Sequence, residues 1–137
     1  KLQPPGIAFC GTAAAVLDAP DERDVADAGR IANSIAALRR HNQRHAELGH
    51  GFGFTTINRD SVKIPTLVRS YHKINTGPFV ETPHGPRLLR QHEAERIMGC
   101  PIRCDHYATA IEILGQGVQT RVFRAILAQV GRYLATF

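Results

Sequence analysis

A chain of 137 residues is one domain's worth, and with 43% hydrophobic and 21% charged residues it has the make-up of a folded globular protein, not of a disordered one. No apolar run approaches the roughly 18 residues that a membrane span needs, and the opening "KLQPPGIAFCG" lacks the continuous apolar core of a signal peptide. A soluble, cytoplasmic chain with no membrane partner is the expectation. Seventeen Lys and Arg against twelve Asp and Glu leave a formal charge of +5, and fourteen of those cations lie at or after Arg39. That distribution points to an anionic partner, nucleic acid foremost.

Over 21–47, apolar residues recur at three- and four-residue steps: Val25, Ala28, Ile31 or Ala32, Ile35 and Leu38. The spacing predicts one long amphipathic helix. Pro20 and the acidic "DERD" suit its positive N-terminal end, "RRHNQRH" its negative C-terminal end, and Gly49 its stop. Dipole complementarity and solvation account for those charges, with Arg39, Arg40 and Arg44 left able to touch phosphate.

The following "HGFGFTTINRDSVKIPTLVRSYHKI" mixes Gly, β-branched and aromatic residues with turn signals, which reads as short strands and an ordered loop. "GPFVETPHGPRLL" reads as a hairpin. From Gln91 the helical period returns through Ala94, Ile97 and Met98, and Gly99 then Pro101 end it. Within this helix Glu93 suits the N-terminal dipole and is placed to pair with Arg96 one turn later. After a loop, "CPIRCDHYAT", a last helix carries Val118, Val122, Ile126, Val130 and Leu134 at helical steps. The expected class is α+β: a long N-terminal amphipathic helix, a small β-rich middle and two C-terminal helices. The chain is one domain or a fragment, divisible at 1–50, 51–101 and 102–137, and its start at Lys1 without Met reads as a piece of something longer.

Cys10, Cys100 and Cys104 are too few for a disulfide framework and suit a reducing compartment. With His106 and His92, the latter two cysteines lack the second ligand pair of a zinc site, so no metal is expected.

Read for order as well as spacing, Arg87, Leu89, Glu93, Arg96, Gly99 and Pro101 fill every place of a pattern that resembles the ninth conserved motif of DNA cytosine-5 methyltransferases. In that family the motif organises the target-recognition domain. Upstream, "IPTLVRSYHK" resembles the "PTLTASYGK" type of segment carried in that domain, and downstream "ILGQGVQTRVFRAILAQVGRYL" is similar to the family's last motif. The three lie in the family's order, and the resemblance covers about 51–134.

The resemblance implies a target-recognition portion that binds double-stranded DNA. Such enzymes extrude the target cytosine from the stack, and contacts to the surrounding duplex must offset that step. By the match, Thr66, Arg69, Ser70, Tyr71 and Lys73 are the expected phosphate and base contacts, with a solvated basic loop anchored by Tyr71 as the plain alternative. Gly115, Gln116, Gly117 and Val118 match the strand-to-helix turn that closes one side of the S-adenosylmethionine pocket. Gln116 stands there for Asn, Gly117 for Ser or Ala, and Gln119 for Pro.

The Gly-rich cofactor turn, the Pro-Cys nucleophile loop and the Glu-Asn-Val segment of the family are not among these residues. Cys10 follows Phe, and Cys100 precedes Pro. No catalytic residue is therefore expected, and the chain alone should neither methylate DNA nor bind the cofactor tightly. Its natural partner would be an N-terminal catalytic domain in a restriction-modification setting. A stand-alone DNA-binding or regulatory module, or one subunit of a split enzyme, is the alternative. The last helix, which packs on the catalytic domain in complete enzymes, would need other cover here, and self-association is expected.

Overall fold

The computed structural model describes residues 11–49 and 54–136; Cys10 and the "HGFG" stretch lie outside them. A short 3-10 turn, Ala13–Ala15, precedes helix α1, Arg23–Glu47. Strand β1 is Thr56–Ile57, and a second 3-10 turn covers Tyr71–Lys73. Strand β2, Phe79–Val80, follows, then helices α2, Gln91–Met98, α3, Tyr107–Gln116, and α4, Thr120–Leu134. The expected α+β class is what forms.

Helix α1 runs almost as its periodicity predicts, and Gly49, at φ 75°, supplies the left-handed residue beyond its C-cap. Its inward face is shifted, however. Asp24, Ala28, Ile31 and Ile35 are buried, while Val25 is 54% exposed. A charged residue takes the place expected for Val25 because it meets a buried cation, described below.

The β-rich middle is slight. β1 and β2 pair in parallel, Thr56 with Phe79 and Ile57 with Val80. The "NRD" stretch forms no strand because its polar side chains fold back on the backbone: the Asn58 amide donates to Ser61 Oγ and the Asp60 amide to Asn58 Oδ1, both at 3.0 Å. The carbonyls of Arg59 and Ser61 accept from the amides of Ala14 and Ala13, so the first 3-10 turn satisfies this loop. The expected hairpin is present: Val80 and Arg87 exchange both backbone hydrogen bonds, at 2.8 and 2.9 Å, across a turn closed at Gly85.

Two apolar clusters hold the elements together. In one, Leu17, Ile57, Leu67, Leu89, Met98 and Ile111 bring the N-terminal segment, β1, the middle loop, α2 and α3 to a common centre. In the other, Ile31 and Ile35 of α1 pack on Phe79, with Phe54 stacked against Phe79 at 5.1 Å between ring centroids. Arg39 lies over Phe54, 4.9 Å from the ring centre, so one of the candidate phosphate contacts on α1 is engaged with an aromatic face.

Helix α3 begins within the stretch that the sequence predicts as loop. Ala110, Ile111 and Leu114 form its buried stripe, and His106 caps it by accepting from the Thr109 amide. The turn at 117–119 therefore joins two helices and is not the strand-to-helix turn expected there. Val118 sits in that turn, 63% exposed. Gln119 starts α4 by accepting from the Val122 amide at 2.7 Å.

Candidate functional site

Three buried ionisable side chains lie where the N-terminus of α1 meets the entrance to α2: Asp24 and Glu93, both 0% exposed, and Arg87, 1% exposed. Nε of Arg87 donates to Asp24 at 2.7 Å, and its two terminal nitrogens donate to the two oxygens of Glu93 at 2.7 and 2.9 Å. Such a planar fork satisfies both carboxylate oxygens at once. Glu93 also accepts from the amides of Asp18 at 2.9 Å and Arg90 at 2.8 Å, the latter closing a capping box at the start of α2. Burial alone would push the Glu93 carboxyl up, but Arg87 and those two amides outweigh it and hold the group below its ordinary value.

Arg90 extends the network to Asp18, Asp21, Asp24 and Asp27 at 2.9 to 3.3 Å. Arg96 donates to the Val16 carbonyl and to Asp18 instead of pairing with Glu93, which corrects the expected partnership within α2. Glu93 cannot serve Arg96 because Arg87 and backbone amides already occupy its oxygens. The helix is accordingly no free surface element; it fastens residues 16–27 to the hairpin. Pattern reading missed Asp18, Asp24 and Arg90, although Asp18, Asp21, Asp24 and Asp27 stand three apart in the sequence.

The remaining motif residues support this brace. Leu89, 1% exposed, gives its amide to the Tyr71 hydroxyl at 2.8 Å and accepts at its carbonyl from the Tyr107 hydroxyl at 2.9 Å. Gly99 ends α2 at φ 67°, and a methyl there would lie 2.6 Å from Thr120 Oγ1, which donates to the Gly99 carbonyl at 2.8 Å. The α2 terminus is thus tied to the start of α4. Pro101 is exposed beyond it.

Of the five expected DNA contacts, Thr66, Arg69 and Lys73 are open to solvent, Ser70 is half-buried and Tyr71 is buried. Arg69, Ser70 and Lys73 line one open depression of about 390 Å3 together with Val68 and with Glu112 of α3, a residue that pattern reading did not single out. Among the described residues, neither Arg69 nor Lys73 has an ion-pair partner. Tyr71 is different. It is fully enclosed, its hydroxyl donating to the Pro78 carbonyl at 2.7 Å, and burial raises its pKa. In this conformation it anchors the loop and offers nothing to a duplex, so its place among the contacts is corrected to the anchoring alternative. Ile74 closes the turn with φ 57°, a strained value for a β-branched residue, held by packing against the α1 cluster.

Of the expected cofactor segment, Gly115 is half-buried and the other three residues are exposed. A methyl on Gly115 would lie 2.5 Å from the Arg69 amide nitrogen, so this glycine faces the loop. Gln116, exposed, donates to the Glu112 carbonyl at 3.2 Å, and Gly117 and Val118 are exposed beside it.

With the brace, the loop and the helical turn in place, comparison with known proteins relates the chain to methyltransferases. It is similar to the type II methyltransferase M.DsaV of Dactylococcopsis salina, with 31% identity over a 94-residue alignment that covers 66% of this chain and 27% of that protein. The chain therefore spans about a quarter of the length of the curated relative it matches. No family model matches. Among the described residues, no helix is long and apolar enough to cross a membrane.

Proposed function

We propose that this chain is the target-recognition portion of a DNA cytosine-5 methyltransferase, which grips duplex DNA through residues 66–73 and works with a catalytic part that it does not itself contain. The observation that carries this reading is the depression at Arg69, Ser70 and Lys73, where two cations without ion-pair partners and a hydroxyl share one concave surface. Phosphate contacts of that kind set the register of a protein on DNA. The similarity to M.DsaV supports the methyltransferase assignment. In the complete enzyme S-adenosylmethionine would supply the methyl group. On this side of its pocket, Gln116, Gly117 and Val118 would hold position while Thr66, Arg69, Ser70 and Lys73 hold the duplex.

A chimera tests this. The chain replaces the matched segment of M.DsaV, and transfer of labelled methyl to duplex DNA is measured. The chimera should transfer methyl while the chain alone does not; a folded chimera that neither binds duplex nor transfers methyl would overturn the reading.

A second reading, one subunit of a split enzyme, is favoured by α4. None of its residues is buried, and Phe123, Ile126, Leu127 and Val130 are 47, 42, 51 and 38% exposed. An apolar stripe of that kind suits a docking partner.

A further inference from the structure

The loop that carries Arg69, anchored at Tyr71, also rests on a helix. Its backbone at Val68 and Arg69 lies directly on α3, where a methyl at residue 115 would sit 2.5 Å from both the Arg69 nitrogen and the Val68 carbonyl carbon, and 2.6 Å from the Val68 oxygen. Those atoms are main chain and cannot swing aside as a flexible side chain would. The same Val68 carbonyl accepts the Tyr71 amide at 3.0 Å, which starts the 3-10 turn ending at Lys73. One helical step before Gly115 on the same face of α3, Glu112 meets His72 of that turn at 3.7 Å and lines the depression beside Arg69 and Lys73.

We infer that α3 is the template for the phosphate-gripping loop and that Gly115 is a positioning residue for Arg69, kept without a side chain so that the loop backbone can lie on the helix. The inference rests on the reading of residues 66–73 as the DNA contact and assigns Gly115 to DNA positioning instead of to the cofactor. A methyl group at 115 lifts the loop by prising Val68 and Arg69 from α3. Arg69 then leaves the depression, and the turn through Lys73 loses its first hydrogen bond. Gly29 provides the control: it lies within α1, and a methyl added there would meet nothing within 4 Å, so alanine at this position leaves the loop alone.

The test is the affinity of the whole chain for a short fluorescent DNA duplex over a range of salt. Gly115→Ala should keep a cooperative melt and lose about tenfold in affinity, with the slope of log K against log salt reduced by about 0.9, as for one lost phosphate contact. Gly29→Ala should bind as the parent does. In an Arg69→Ala background, Gly115→Ala should cost little more, because both act through one contact. Parent-like binding by Gly115→Ala, or a loss that adds in full to that of Arg69→Ala, overturns the inference. Amide hydrogen exchange of the unsubstituted chain gives a reading that needs neither DNA nor a folded variant. The Tyr71 amide should exchange with the same protection as the amides of α3, and exchange much faster than α3 contradicts the template. Absence of duplex binding by the parent chain, with that exchange pattern intact, would instead count against the DNA reading alone.

Discussion

Arg87 donates to both oxygens of Glu93, at 2.7 and 2.9 Å, and neither side chain is open to solvent. The pair closes a gap of only six residues in sequence, yet through Asp24 it reaches sixty-three residues back to α1. Removing one member leaves the others buried without their counter-charge. Glu93→Ala should therefore destabilise the fold by about 3–5 kcal/mol, read from the midpoint of denaturant unfolding. A change within a few tenths of a kcal/mol would mean that the brace is not formed in solution.

The pH dependence follows from the same carboxylates. Glu93 and Asp18 ordinarily titrate at 4.5 and 3.8, and both are held lower: burial opposes this, but Arg87 and backbone amides outweigh it at Glu93, and His92 and Arg96 at Asp18. The folded chain thus binds fewer protons than the unfolded one in the acid range. Their contribution is complete above pH 4.5 and is lost as pH falls through the folded values. Melting temperature should stay level from neutral pH down to that point and then decline, and Glu93→Gln should flatten the acid limb.

Much of the helical framework was legible in the sequence because it rests on local spacing. α1 and α2 follow from their apolar periods, and Gly49 and Gly99 from the left-handed backbone that ends each. What was not legible depends on distant partners. Asp24 displaces Val25 from the core face only because Arg87 arrives from far along the chain. Tyr71 turns inward because the Pro78 carbonyl and the Leu89 amide flank its hydroxyl. α3 was hidden by its uncommon His106 cap and by the glycines at its end, although Ile111 and Leu114 keep a helical step. The depression joins a loop to a helix some forty residues later, so the resemblance named its Arg69, Ser70 and Lys73 but no local spacing pointed to Glu112.

Gly99 makes a separate prediction. Alanine there meets both a positive φ and the Thr120 hydroxyl at 2.6 Å, so it should cost more than the roughly 1 kcal/mol typical of a left-handed position alone. Thr120→Ala, which removes the hydroxyl, should recover part of that loss in the double variant. Strictly additive effects in thermal unfolding would show that the two sites do not touch.

The uncovered face of α4 predicts that the isolated chain self-associates. Light scattering over a concentration series should show a rising mass, and Phe123→Glu with Leu127→Glu should return it to the monomer without lowering the melting temperature, since neither side chain is buried. A parent chain that stays monomeric at the highest concentration would remove this expectation.

The most direct measurement of the central claim is the salt dependence of duplex DNA binding by the unsubstituted chain and by Arg69→Ala. The account predicts binding that weakens linearly in log K against log salt, and an Arg69→Ala chain that binds more weakly, with a slope shallower by about 0.9. Equal affinity and equal slope for the two chains would contradict it.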